Sequence, residues 1–138
     1  MTFIPENALE EALLQANKSA MKRREFERQL LACDIYAIGE IDGREVAPAG
    51  SLLKPGERFR VASIKRDGRT YVPVFTSLVR LNAYLTRNAG YVALPGKALM
   101  EMTRGATLLF NLGSEVGKEI LPEEVERMLD PTTYKLSL

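Results

Sequence analysis

The stretch Tyr71–Ser77, which runs directly into Leu78–Leu85, constrains the fold more than any other part of this chain. Its first part is rich in β-branched and aromatic residues, which favour a pleated strand. Its second part repeats apolar residues every three to four positions, which is typical of a helix. Ser77 lies between them and suits a helix N-cap, because its hydroxyl can accept a free amide of the first turn. This switch predicts a domain of mixed α and β structure.

Composition narrows the class of protein further. A chain of 138 residues with 46% apolar content is long enough to bury a core without disulfide or metal staples. The 19 basic and 18 acidic residues give a net charge of +1, so no overall field attracts nucleic acid. The chain has no histidine, which removes the commonest general base and metal ligand. Neither a signal peptide nor an apolar run of about 20 residues is visible, so we expect a cytoplasmic protein without membrane contact.

The order of apolar patterns predicts two helices, then a sheet with further helices. Helical spacing follows Asn7 and recurs up to Cys33, and a short apolar strand follows from Asp34. Later strands are expected near residues 58–65, 70–76, 91–94, 107–111 and 118–121, with helices after Ser77, Pro95 and Pro122. We therefore expect a single α+β domain over residues 1–138, with its core at about 6–130. Its mixed sheet should have about five strands, with the helices packed against it.

Two pairs of residues predict hairpin turns. Asp42-Gly43 could join short strands at Glu40–Ile41 and Glu45–Val46, and Asp67-Gly68 joins the strands before and after it. Pro73 limits the second hairpin, because proline cannot donate a hydrogen bond to a partner strand. Either the loop is longer than two residues or the pairing ends before Pro73. The longer loop is the preferred interpretation.

The second helix carries a charged run in which Lys22, Arg23 and Arg24 form a basic cluster. This cluster is either the rim of a protein-docking patch or a solvated helix face, since acidic residues follow it closely. Cys33 ends the apolar side of the same helix, where the helix dipole disfavours a thiolate. It is therefore expected to be a small buried hydrophobe rather than a nucleophile.

Three local motifs and the order of elements resemble one bacterial family. They are the early helix Ala8–Leu13, the strand end Val72–Ser77, and Leu109–Ser114 followed by Gly117-Lys118 and a short helix. Together they look like the N-terminal domain of the enhanced serine sensitivity protein B (SseB) family. The chain departs from the family pattern at Asn111-Leu112, where members typically have Asn-Pro, and it stops soon after its last helix. The resemblance implies an α+β fold but no catalytic residues, because the family has no settled activity.

Four residues in these motifs are candidates for a binding site: Ser77, Arg80, Asn111 and Ser114. Each polar residue has a structural interpretation, with Ser77 as a helix cap and Asn111 and Ser114 satisfying amides of a turn. The functional interpretation is that the two loops meet at one edge of the sheet and bind a polar or anionic group. Arg80 would then lie one turn into the adjoining helix.

Three classes of function remain open. The first is a non-enzymatic module that binds another protein or a second copy of itself. The second is a regulatory domain that holds a small molecule or anion near Ser77 and Asn111. The third, an enzyme using carboxylates such as Asp34, Glu101 or Glu115, has the least support because no spacing singles out a pair. No cofactor, metal or nucleic acid is expected. The sequence favours the interaction module.

Overall fold

The computed structural model describes residues 4–41, 44–45, 59–85 and 90–130. Its α-helices are α1 (Ala8–Lys18), α2 (Arg23–Ala32), α3 (Leu78–Tyr84), α4 (Gly96–Met102) and α5 (Pro122–Leu129), with a 3-10 turn at Ala20–Lys22. Its strands are β1 (Asp34–Ile41), β2 (Arg44–Glu45), β3 (Phe59–Val61), β4 (Ile64–Arg66), β5 (Arg69–Phe75), β6 (Tyr91–Pro95), β7 (Thr107–Phe110) and β8 (Lys118–Ile120). The prediction of one α+β domain is confirmed.

The strands form a mixed sheet in which β6, β1, β5, β7 and β8 lie side by side in that order. Only β5 and β7 run parallel among these five, and the other neighbours are antiparallel. The short strands β2 and β3 pair with the last residues of β1, and β4 pairs with the start of β5. The mixed sheet predicted from the sequence is thus confirmed, with these short strands added.

The first predicted hairpin is confirmed over Glu40–Ile41 and Arg44–Glu45, which pair around residues 42 and 43. Val46 and the connection that follows it lie outside the described residues.

The preferred interpretation of the second hairpin was wrong. Arg66 lies directly opposite Arg69, so the loop has only two residues. Asp67 and Gly68 both have left-handed backbone angles, with φ of 53° and 76°, as a tight hairpin turn requires. The pairing ends at Ile64 and Tyr71, before Pro73 would have to donate a hydrogen bond to β4.

A single apolar core lies between one face of the sheet and helices α1, α2, α4 and α5. Alternate strand residues such as Ile35, Val74 and Phe110 contribute to it and are buried. Gly96, at the start of α4, lets this helix approach α2 closely, because an added Cβ would lie 1.7 Å from the Leu30 carbonyl oxygen. The sheet and its packed helices therefore fix where the strand ends lie.

Helix α3 packs elsewhere. The ring of Phe75 on β5 lies 5.4 Å from the ring of Tyr84 on α3. Phe75 and Val74 are neighbours on one strand, so their side chains point to opposite faces of the sheet. Helix α3 therefore contacts the face opposite the main core, and its first turn lies where β5 ends.

Candidate functional site

The candidate site lies where the parallel strands β5 and β7 end. Thr76 and Ser77 follow β5, and Asn111 follows β7 with a left-handed φ of 59°. The amide N–H of Asn111 donates to the Val74 carbonyl at 2.9 Å, which brings the two strand ends together. Asparagine tolerates this backbone conformation better than most residues. Helices α1 and α3 both begin at the same edge of the sheet.

Glu10 of α1 is the centre of the site, and its side chain is fully buried. The Thr76 hydroxyl donates to Glu10 Oε2 at 2.6 Å. Arg80 donates to Glu10 Oε1 from Nε at 3.2 Å and from Nη2 at 3.1 Å, and the Glu6 amide donates to the same oxygen at 2.9 Å. A buried carboxylate is tolerated only when it is paired and hydrogen-bonded in this way.

Two asparagines complete the network around Thr76. The Thr76 amide donates to Asn111 Oδ1 at 3.0 Å, and Asn111 Nδ2 donates to the Thr76 hydroxyl at 2.9 Å. Asn7 Nδ2 donates to the Thr76 carbonyl at 2.9 Å, while Asn7 Oδ1 caps α1 by accepting from the Glu10 amide. Each polar group therefore binds another part of the chain, and we call Asn7, Glu10, Thr76, Ser77, Arg80 and Asn111 the Glu10 cluster.

The pKa of Glu10 is lower than that of an ordinary glutamate. Burial by itself raises this pKa, but hydrogen bonds from Thr76, Glu6, Ser77 and Arg80 together outweigh it. Glu10 is therefore a carboxylate at neutral pH. A general acid or base that works at neutral pH needs a pKa near 7. The lowered pKa of Glu10 lies further from that value than the pKa of an ordinary glutamate does.

The structure brings three of the four predicted binding residues together. Ser77 caps α3, as predicted, by accepting a hydrogen bond from the Arg80 amide at 3.4 Å. Arg80 and Asn111 join it in the Glu10 cluster. Ser114 is tied to the same turn by its backbone amide, which donates to the Asn111 carbonyl. Of the predicted residues, Ser77 and Arg80 contact an anion, and it is the protein's own Glu10 carboxylate.

Sequence reasoning missed Glu10 and Asn7 as members of the site. Their spacing predicted a helix cap, and the cap is present because the Glu10 amide donates to Asn7 Oδ1. It does not reveal that the Glu10 side chain turns inward to Thr76, 66 positions away. That contact depends on how α1 packs against the strand ends.

The charged run on α2 lies in a different part of the molecule. Lys22 and Arg24 are exposed, but Arg23 is half-buried and makes ion pairs with Glu27 and Glu124. Glu27 is only 3% exposed and also accepts from both terminal nitrogens of Arg127. The interpretation of the whole run as a solvated face was therefore wrong at Glu27, because this carboxylate joins α2 to α5.

Lys118 lies beside the same ion pairs. Burial lowers the pKa of its amine, the positive charge of Arg23 lowers it further, and the carboxylate of Glu27 acts against both. The three carboxylates considered for an enzyme, Asp34, Glu101 and Glu115, are exposed on β1, on α4 and in the turn after β7. These positions do not form a common site.

Three exposed apolar residues lie in segments that the Glu10 cluster joins. Leu78 and Val79, in the first turn of α3, are 36% and 48% exposed, and Ile4 is 69% exposed. Arg80 Nη2 donates to the Ile4 carbonyl, which ties the segment before α1 to the start of α3. We call Ile4, Leu78 and Val79 the α3 patch. Met21 is a separate exposed apolar residue, at 90%, beside Lys22.

Within the described ranges, no group of three or more His, Cys, Asp or Glu side chains is arranged to hold a metal ion. In the same residues, no helix has the length and apolar character needed to cross a membrane.

The fold and the Glu10 cluster define a class: a small α+β domain in which its own side chains close the ends of two parallel strands. The model of the SseB protein N-terminal domain matches residues 9–127, and the chain belongs to the SseB family. It is 32% identical over 134 residues to Protein SseB of Escherichia coli (strain K12) and, equally, to Protein SseB of Shigella flexneri. These matches cover 96% of this chain and 49% of each relative, so the chain spans about half their length. No solved structure matches.

Proposed function

We propose that this chain is a non-enzymatic, cytoplasmic protein-interaction module. The observation that carries the proposal is the α3 patch, in which three large apolar side chains are exposed beside a fully bonded polar cluster. Scattered apolar residues on a surface need no explanation. Here, however, Ile4 comes from a separate segment and is held at α3 by a hydrogen bond from Arg80.

The Glu10 cluster supports binding by giving the patch a fixed shape. Arg80 contacts Glu10 on α1 and the Ile4 carbonyl, and it directly follows Val79 on α3. The Arg80 side chain is only 13% exposed, so little solvent competes for its bonds. A surface that is ordered before binding loses less entropy when a partner docks.

Catalysis has less support at this site. The Glu10 carboxylate is sealed from solvent, so a substrate atom cannot approach it. Its lowered pKa also keeps it from exchanging protons near neutral pH. The cluster therefore has the properties of a structural support rather than of a reacting group.

The expected occupant of the α3 patch is a segment of another protein that presents apolar side chains. Exposed apolar residues lose contact with water when such a segment covers them, which favours association. Lys22 and Arg24, next to exposed Met21, form a second candidate surface with a basic rim. Arg23 is less suited to contact a partner because its guanidinium is paired within the domain.

Site-specific photo-crosslinking in the native cytoplasm tests the proposal. The crosslinking amino acid is placed at Val79, at Met21 and at Met102, which is 45% exposed and serves as the control. We expect a discrete adduct with another polypeptide from position 79 and none from position 102. An adduct whose mass matches two copies of the chain would identify self-association as the interaction. Absence of an adduct at both 79 and 21 would overturn the proposal.

A further inference from the structure

Lys118 differs from the other lysines of the described ranges, because it is partly buried and they are exposed. It lies directly opposite Phe110 in the β7–β8 register, and directly opposed residues share one face of a sheet. The ring of Phe110 lies 6.3 Å from the ring of Phe26 on α2. The Lys118 side chain therefore points toward α2 from β8, the last strand in the order of the described sheet.

The charges that α2 and α5 place beside Lys118 are already matched to one another. Arg23 pairs with Glu27 and Glu124, and Arg127 pairs with Glu27, so two cations share two carboxylates. Lys118 is a third cation next to this group, and its amine forms no ion pair with any described residue. The group therefore has no spare carboxylate to hold the charge of Lys118.

This position favours the neutral form of the amine. Partial burial lowers the pKa of Lys118, the Arg23 guanidinium lowers it further, and the Glu27 carboxylate opposes both. An amine is a nucleophile only when it has lost its proton, and a partly buried lysine beside another cation is activated in this way. At neutral pH, more of the Lys118 amine should be neutral than of an exposed lysine.

We propose that Lys118 is an acylation site, at which its amine takes an acyl group from a donor of the acyl phosphate class. The neutral Nζ attacks the acyl carbon, and a C–N bond forms as the C–O bond to the phosphate group breaks. Inorganic phosphate leaves, and the extra proton on nitrogen passes to water. The product amide is uncharged, so only the third cation is lost and Arg23 keeps both of its carboxylate partners. This site is separate from the α3 patch and does not depend on the function proposed above.

Mass spectrometry of the wild-type protein treated with acetyl phosphate tests the site. It gives the acetylation rate of each lysine in one sample, and Lys65 on β4 and Lys97 on α4 are exposed internal controls. We expect Lys118 to be acetylated several-fold faster than either control at neutral pH. This advantage should shrink as the pH rises, because the exposed amines then lose their protons as well. A Lys118 rate no higher than those of Lys65 and Lys97 at neutral pH would overturn the proposal.

Arg23→Gln tests the cause of the reactivity. It should slow acetylation of Lys118 several-fold, because it removes the adjacent positive charge, and it should leave the rate at Lys97 unchanged. Arg28→Gln is the matched control, since Arg28 is an exposed cation on α2 and the substitution changes the net charge equally. Equal slowing by the two variants would contradict the proposal, because it would show only a response to net charge. The comparison within the wild-type protein remains decisive if Arg23→Gln does not fold.

Discussion

At the scale of single residues, Ser77 has two roles, because its hydroxyl contacts both the Arg80 amide and the Glu10 carboxylate. Its hydroxyl oxygen accepts the Arg80 amide at the start of α3, and its hydroxyl proton contributes to lowering the pKa of Glu10. A side chain at this position must therefore accept at the helix end and tolerate a buried carboxylate beside it. Serine meets both needs, although sequence reasoning identifies only the cap.

Substitution of Ser77 should distinguish these two roles. Ser77→Ala removes the cap and should lower the free energy of unfolding by about 1 kcal/mol. Ser77→Asp keeps an acceptor for the helix but places a second negative charge beside Glu10, so it should destabilise the domain more than alanine does. A cap alone would predict a nearly neutral aspartate. Urea unfolding of the two variants measures the difference, and an aspartate variant as stable as wild type would contradict the second role.

Glu10 should make the stability of the domain depend on pH in the acid range. Its pKa is lower in the folded chain than in the unfolded one, so the folded state favours the charged form. This contribution is complete above the unfolded pKa, for which the ordinary glutamate value of 4.5 applies, and it is lost as the pH falls through the lower folded pKa.

Glu10→Gln removes this titration while keeping the size of the side chain. The variant should be less stable at neutral pH, by roughly 3 kcal/mol or more, since Arg80 loses its buried partner. Its stability should also fall less than that of wild type between neutral pH and pH 3. Thermal unfolding across that range measures both effects. Parallel curves for the two proteins would show that Glu10 is not the titrating group.

At the scale of elements, ion pairs join α2 to α5. Glu27 on α2 is nearly buried and is paired with Arg127 on α5, while Arg23 is paired with both Glu27 and Glu124. Only Glu27 is nearly buried in this network, since the side chains of Arg23 and Arg127 are 38% and 46% exposed. Two adjacent cations therefore differ: Arg23 is paired with carboxylates of the domain, whereas Lys22, in the preceding 3-10 turn, is exposed.

Charge reversal should therefore lower the melting temperature more at Arg23 than at Lys22. Arg23→Glu places a third carboxylate beside Glu27 and Glu124, so it should lower the melting temperature by several degrees. Lys22→Glu is the matched control, since Lys22 is exposed in the preceding 3-10 turn and should change the melting temperature little. Differential scanning calorimetry of both variants gives the comparison. Equal losses would contradict the proposed role of Arg23.

At the scale of the whole molecule, local signals predicted the elements better than their contacts. The strand before Ser77, its cap and the helix after it depend on neighbouring residues, so the pattern of residues 71–85 is sufficient to predict them. The hairpin turn at Asp67 and Gly68 is also local. Its loop length was misjudged because β4 begins only at Ile64, so Pro73 has no partner on β4 and instead lies opposite Leu109 of β7, which is a non-local pairing.

The Glu10 cluster could not be predicted in the same way. Its members come from α1, the end of β5, α3 and the end of β7, and the bond between Thr76 and Glu10 spans 66 positions. A glutamate in the first turn of a helix normally lies in solvent, where its negative charge interacts favourably with the helix dipole. Only the packing of α1 across the strand ends makes this side chain a buried partner of Arg80.

We propose that the Glu10 cluster supports a surface that works by binding, and Val79→Asp tests this proposal most directly. Val79 lies in the first turn of α3, where an acidic residue suits the helix dipole, so the fold should be retained. The measurement is quantitative capture of the partner that crosslinks to position 79, using purified wild type and variant together with their melting temperatures. We expect capture to be lost while the melting temperature stays within a few degrees. Undiminished capture by the folded variant would contradict it.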